Sequence, residues 1–81
     1  MIYMNLDTIE KAIKLTGVCE KYKSIDIDIL YGRYIIDGRS ILGVSSLLGN
    51  IIKIYPNTDD NEMIDSITKD LEEIGAWNET K

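Results

Sequence analysis

The side chains whose type and spacing could do chemistry in this sequence are mainly carboxylates. Asp26 and Asp28 alternate with isoleucines, so both project from one face of a predicted strand. A carboxylate pair can serve as general acid and base, but on a solvated sheet face it more simply keeps the surface soluble. The Asp-Asp-Asn-Glu segment at residues 59–62 lacks the alternating ligands and central glycine of a calcium loop. We therefore interpret both groups as structural.

The sequence contains no histidine and a single cysteine, Cys19. Histidine is the commonest general base, the usual partner in a catalytic triad and the commonest metal ligand, and none of these roles can be filled by it here. One thiol cannot complete a Cys/His zinc site or an internal disulfide. Cys19 falls in an apolar helical stripe, which favours a buried structural thiol over a reactive one. These absences predict no metal, no cofactor and no enzymatic activity.

The length and net charge of the chain limit which classes of function remain. The 81 residues suffice for one domain with a single core. A net charge of -5 repels a phosphate backbone, so neither nucleic acid nor an anionic membrane is an expected partner. No apolar run approaches the roughly 20 residues that cross a bilayer, and residues 1–6 do not resemble a signal peptide. We expect a cytoplasmic protein.

Hydrophobic periodicity predicts the first half of the fold. Alternation indicates a strand over residues 2–6 and a hairpin over residues 25–36 that turns at Gly32. Between them lies a predicted helix, with Asp7 as its N-cap and Glu10 completing a capping box. The residues of this helix that are expected to face the core are Ile9, Ala12, Ile13, Thr16, Cys19 and Tyr22, widened by Leu15 and Val18.

A short second helix is predicted to begin at Ser40 and to stop at Gly49-Asn50. Its apolar residues, by their spacing, are assigned to the core: Ile41, Val44 and Leu47. A fourth strand follows over residues 51–55 and is closed by Pro56, which cannot donate to a ladder.

A third helix is predicted with Asp59 as its N-cap and Gly75 as its C-cap. Its expected core stripe consists of Ile64, Ile67, Leu71 and Ile74. Trp77 is expected to fold back onto the last turn of this helix, and residues 78–81 are expected to fray. The predicted domain thus covers residues 1–77.

The resulting order, β-α-β-β-α-β-α, predicts the α+β class. One-sided strands indicate a four-stranded antiparallel sheet with three helices on one face, an open-faced sandwich.

Three motifs carry a resemblance to a known family. They are Lys21-Tyr22-Lys23-Ser24, Tyr31-Gly32-Arg33 and Arg39-Ser40-Ile41-Leu42-Gly43-Val44-Ser45-Ser46-Leu47. With the element order, they resemble the HPr family, the histidine-containing phosphocarriers of the bacterial sugar phosphotransferase system. The likeness is close over residues 25–47 and rests on element order alone before Lys21. It implies the open-faced sandwich fold of that family.

Members of this family carry the phosphoryl group on a histidine in a His-x-Arg-Pro motif where the first helix starts. The present sequence has Asp7-Thr8-Ile9-Glu10-Lys11-Ala12 at that place. A phosphothreonine at Thr8 would be too inert to pass its phosphoryl group on, and capping accounts for Asp7 without any chemistry. We therefore interpret Asp7 and Thr8 as a degenerate carrier site. A carrier that uses one of them as a non-histidine acceptor remains an alternative.

The resemblance also assigns roles around the second helix. Ser40 matches the serine that a dedicated kinase phosphorylates in many Gram-positive members, and a phosphate there would meet a helix N-terminus. Arg39 is adjacent and could steady that phosphate; the simpler interpretation of Ser40 is a cap alone. Leu42 matches an anchor of the family's docking surface, whereas Ser45 stands where a bulky apolar residue is usual.

We therefore expect a non-catalytic, regulatory or interaction protein of the HPr type that has lost carrier activity. The partners implied by the resemblance are proteins: phosphotransferase-system enzymes, a serine kinase or a transcription regulator. A third interpretation is a small-molecule sensor that uses the open sheet face, where several tyrosines are expected.

Overall fold

The computed structural model describes residues 1–79, and within them the chain forms five strands and three helices. In chain order these are β1 (Ile2–Leu6), α1 (Ile9–Lys21), β2 (Ile27–Tyr31), β3 (Tyr34–Asp37), α2 (Ile41–Ser45), β4 (Asn50–Pro56), α3 (Asn61–Glu72) and β5 (Trp77–Asn78). The strands form one antiparallel sheet in the order β3-β2-β4-β1-β5. The α+β class and the open antiparallel sheet are confirmed.

One face of the sheet holds the core. The buried side chains of β1, β2 and β4 are Ile2, Met4, Leu6, Ile27, Ile29, Ile52 and Ile54. Buried residues from all three helices belong to the same cluster, so the helices cover one face of the sheet, as predicted. Ile51, Lys53 and Tyr55 of β4 point to the opposite, solvated face. No helix within the described residues is long and apolar enough to cross a bilayer.

The sheet has a fifth strand that the sequence analysis did not predict. Trp77 and Asn78 form β5 and pair with Tyr3 and Ile2 of β1. The expectation that Trp77 folds back on α3 is wrong: its ring stacks on Tyr3 with the centroids 6.0 Å apart. Pairing at this position satisfies backbone groups of β1 that would otherwise form an open edge.

The predicted domain end at residue 77 cuts through this strand. Asn78 belongs to β5, and the backbone N–H of Glu79 donates to the carbonyl of Met1 at 3.1 Å. Residues 78 and 79 are therefore tied to the sheet rather than frayed. The last two residues of the expected frayed segment, 80–81, lie outside the described residues.

Both long helices begin one residue later than predicted. Thr8, rather than Asp7, caps α1, because its hydroxyl accepts from the N–H of Lys11 at 3.2 Å. The N–H of Asp7 donates to the carbonyl of Asn5, which keeps Asp7 in the turn that leaves β1. Asp60, rather than Asp59, caps α3 and accepts from two N–H groups of the first turn.

The core stripe of α1 also differs from the prediction. Ala12, Leu15 and Cys19 are buried, whereas Ile9 and Ile13 are 52% and 58% exposed. The buried face is rotated toward Leu15, which leaves the two isoleucines on its flank. In α3 the predicted stripe is centred correctly, on the buried residues Ile67 and Leu71.

Three glycines adopt the left-handed backbone that their turns need, each where the sequence places a break. Gly32 (φ 59°) starts the β2–β3 turn, and Gly49 (φ 92°) precedes β4. Gly75 (φ 107°) ends the turn after α3, where its N–H donates to the carbonyl of Glu72 and the next N–H donates to Leu71. Those two bonds make a Schellman motif, in which Gly75 is the left-handed glycine after the helix end; the C-cap residue itself is Glu73.

Gly17 offers a direct test of the α1 packing. It is exposed, and a Cβ there would meet no atom within 4 Å. Gly17→Ala should raise the free energy of unfolding by about 0.5–1 kcal/mol, because alanine favours the helix. Chemical denaturation followed by circular dichroism measures the change.

The matched control is Gly38→Ala. A Cβ at Gly38 would lie 2.5 Å from the Cys19 sulfur and 2.9 Å from the carbonyl oxygen of Ile27, so this variant should lose stability. Destabilisation by Gly17→Ala, or none by Gly38→Ala, would contradict the described packing.

Candidate functional site

The N-terminus of α2 is built by Ser40. Its backbone N–H donates to the carbonyl of Asp37 at 3.0 Å, which turns the chain out of β3. Its hydroxyl accepts from the N–H of Gly43 at 3.2 Å and caps the helix. The prediction that Ser40 begins the second helix is confirmed. Ser40 is exposed, so a modifying enzyme could reach its hydroxyl from solvent.

Arg39 is engaged away from Ser40. Its guanidinium donates to the carbonyl of Lys23 at 3.2 Å, to Asp26 at 3.1 Å and to Asp37 at 3.4 Å. The backbone N–H of Arg39 also donates to Asp37 at 2.9 Å, and these donors hold the pKa of Asp37 below its ordinary value. A phosphate on Ser40 would therefore compete with two carboxylates for this arginine.

The two aspartates of the candidate pair have separate partners, and only Asp28 lies on β2. Asp28 accepts from the side-chain amide of Asn57 at 2.8 Å, whereas Asp26 binds Arg39. Asp28 thus joins β2 to the segment after β4, and Asp26 joins the segment before β2 to the one before α2. This arrangement agrees with the structural interpretation of the pair.

The outward face of α2 carries an exposed apolar side chain. Leu42 is 83% exposed, and Ile41 beside it is also exposed, so the assignment of Ile41 to the core is wrong. Val44 and Leu47 are buried, as predicted. Ser45 donates its hydroxyl to the carbonyl of Leu42 at 3.1 Å and is thus occupied within its own helix.

Gly43 explains how close α2 sits to the sheet. A Cβ at this position would lie 2.7 Å from a methyl group of Ile36, so the helix backbone rests directly on β3. The inward side chain of Val44 completes this contact with the core. Leu42 is therefore presented to solvent by a firmly seated turn of helix.

Two residues that the sequence analysis assigned to the core add to the exposed apolar surface. Ile9 and Ile13 lie one helical turn apart on α1, and α1 contacts α2. The sequence analysis placed both in one core stripe together with Ala12, Cys19 and Tyr22. A signal was present, because Ala12, Leu15, Cys19 and Tyr22 alone already form a stripe at helical spacing.

Asp7 and Thr8, which the resemblance interprets as a degenerate carrier site, make only local contacts. Asp7 forms an ion pair with Lys11 at 3.1 Å, and the hydroxyl of Thr8 caps α1. Lys11 also donates to the carbonyl of Asn5 at 3.3 Å. Among residues 1–79, no hydrogen bond or ion pair joins Asp7 or Thr8 to Ser40. The same range contains no cluster of metal-ligating side chains.

A polar cluster that the sequence analysis did not anticipate joins α1 to α3. Tyr22 donates to Asp70 at 2.6 Å and lies 2.6 Å from the hydroxyl of Ser66, while Lys21 binds Asp70 at 2.8 Å. The Lys21 ammonium, followed by the Tyr22 hydroxyl, holds the pKa of Asp70 below its ordinary value. Asp70 in turn raises the pKa of Lys21.

Cys19 is 1% exposed and packs against Gly38. Burial raises the pKa of its thiol to about 12. The predicted structural role of this thiol agrees with that environment.

No protein-family model and no curated protein matches this chain.

We predict that Cys19 is inert to thiol reagents in the native protein. Only the thiolate reacts, and burial suppresses both ionisation and access. Labelling with a maleimide at neutral pH should be absent in buffer and stoichiometric in denaturant, as read by mass spectrometry. Rapid native labelling would contradict the burial of this residue.

We also predict an acid-dependent contribution from Asp70. Because its folded pKa lies below its unfolded value, its stabilisation is present above the unfolded pKa and is lost as pH falls through the folded pKa. Between about pH 5 and about pH 2, Asp70→Asn should lose less stability than the wild-type protein. Equilibrium denaturation across this range measures the difference.

Asp65→Asn is the matched control. Asp65 is an exposed carboxylate of the same helix that forms no ion pair or side-chain hydrogen bond among residues 1–79. Its replacement should leave the acid dependence of wild type unchanged. Identical profiles for the two variants would count against a specific role of Asp70.

Proposed function

We propose that this chain is a protein-interaction module of the HPr type that carries no phosphoryl group. The observation that carries this proposal is the exposed Leu42 on α2, because it occupies an anchor position in the motif that resembles the family. An apolar side chain that is 83% exposed on a short, well-seated helix is suited to insertion into a partner's pocket.

The arrangement at the start of α1 supports the absence of carrier activity. A carrier needs an acceptor that holds a phosphoryl group loosely, and the sequence has no imidazole. Asp7 is neutralised by Lys11, and the Thr8 hydroxyl caps the helix with no general base beside it. Capping and pairing account for both residues without phosphoryl transfer.

We propose Ser40 as the regulatory phosphorylation site of this module. Ser40 is exposed and lies at the start of α2, two residues before Leu42. A phosphate there would add about two negative charges beside the docking surface. Phosphorylation would thus alter which partners the α2 face accepts.

The partner would present an apolar pocket with a polar rim. Leu42 and Ile41 supply the apolar contact, and Ser45 makes this face smaller and more polar than in the family. We therefore expect a partner that differs from the usual phosphotransferase-system enzymes in the part of its surface that meets Ser45.

Two labelling reactions test the proposal. With the first enzyme of the phosphotransferase system and phosphoenolpyruvate, we expect no acid-labile phosphate on the chain. With the family's serine kinase and ATP, we expect acid-stable phosphate that is lost in Ser40→Ala. Leu42→Asp should slow this second reaction by at least about tenfold, because it removes the apolar anchor.

Ile51→Asp is the control for the change at Leu42. Ile51 is also an exposed apolar residue, but it lies on the open sheet face, so its replacement should leave the kinase rate unchanged. Stoichiometric acid-labile label would refute the loss of carrier activity. Absence of kinase labelling would refute Ser40 as the phosphorylation site, and equal slowing by both aspartate variants would refute the α2 docking surface.

A further inference from the structure

Strand β3 forms an open edge of the sheet. It is the terminal strand in the order β3-β2-β4-β1-β5, and its residues Tyr34 and Ile35 are 65% and 71% exposed. The N–H of Gly38 donates to the carbonyl of Ile27 at 2.9 Å. Because inward and outward backbone groups alternate along a strand, Tyr34 and Ile36 bond to β2. The N–H groups of Ile35 and Asp37 and the carbonyl of Ile35 are therefore directed away from the sheet, whereas the carbonyl of Asp37 accepts from the N–H of Ser40.

This edge carries neither lysine nor proline. Edge strands are commonly blocked by lysine, proline or a bulge, and β3 reads Tyr-Ile-Ile-Asp. At the other edge, β5 is only two residues long. A further strand would therefore find more unpaired backbone groups along β3 than along β5.

We propose that β3 pairs antiparallel with β3 of a second copy of this chain, around a two-fold axis at Ile35. Such an axis is perpendicular to the sheet, so residues that face each other must point to the same side. Ile35 then faces its own counterpart, and Tyr34 faces the position of Ile36. Asp37 faces Arg33, the turn residue that immediately precedes β3, on each side of the axis.

Charge complementarity selects this register. Arg33 belongs to none of the ion pairs among residues 1–79, and Asp37 binds Arg39 through one carboxylate oxygen only. An axis at Ile36 would place Arg33 against Arg39, which has the same charge. A two-fold axis at Tyr34 would place Asp37 opposite the uncharged Tyr31, so no ion pair would form. The register at Ile35 therefore pairs opposite charges twice.

The apolar side chains fit the same register. Ile35 is paired with Leu30 of β2 on the open sheet face. The row continues across the sheet through Lys53, Tyr3 and Trp77, which are directly opposite one another in the strand register. Pairing at Ile35 joins two such rows end to end and covers an isoleucine that is otherwise 71% exposed. The short strand implies a weak, concentration-dependent dimer.

Cysteine cross-linking tests both the interface and its register. In a hydrogen-bonded antiparallel pair the Cα atoms are about 5.5 Å apart, which suits a disulfide. Ile35→Cys should therefore form a covalent dimer under mild oxidation. Tyr34→Cys, which faces a different position and the other side of the sheet, should cross-link at least about tenfold more slowly. The native Cys19 is buried and does not interfere.

A charge variant distinguishes cross-linking in the proposed dimer from cross-linking by random collision. Adding Arg33→Glu to Ile35→Cys should slow cross-linking at least about tenfold, because both ion pairs become repulsive. Adding Lys14→Glu, an equal charge change on exposed α1, should leave the rate unchanged. Sedimentation of the wild-type protein should show a dimer fraction that rises with concentration. Equal rates for the two cysteine variants, no effect of Arg33→Glu, or a monomer throughout would overturn the proposal.

Discussion

The structure depends on the one-sided burial of its sheet. Alternate residues of β1, β2 and β4 form one apolar face, and all three helices supply the side chains that cover it. Removing this surface from water is the main favourable contribution to folding. The same constraint leaves the outer surfaces of the helices and most of the opposite sheet face exposed to solvent. Leu42 of α2 and Ile35 of β3 lie on those two remaining surfaces.

The parts of the fold that could be predicted from the sequence depend on short-range chemistry. Strict alternation in β2 permits only one choice of buried face, because a shift by one residue would expose every isoleucine. Ser40, Gly32 and Gly75 were placed correctly because a cap hydroxyl or a left-handed backbone is a local requirement. The second helix, with the core residue Val44, follows from the same local reasoning.

The errors occurred where two local solutions were equally good or where a distant partner decides. Asp7 and Thr8 are both good caps, and only the turn after β1 selects between them. A two-residue strand is too short to show a hydrophobic periodicity. The position of Trp77 depends instead on a distant contact, the stacking of its ring on Tyr3. Arg39 pairs locally with Asp37, but its other partners, Lys23 and Asp26, lie in the segment before β2, beyond any local motif.

The Tyr3–Trp77 stack gives the protein an intrinsic spectroscopic probe. Trp77 is the sole tryptophan of the sequence, and it lies on the last strand rather than inside the core. Its emission, and excitation energy received from the tyrosine ring 6.0 Å away, therefore depend on whether the final segment is seated on β1. Fluorescence can thus follow detachment of this segment separately from collapse of the hydrophobic interior.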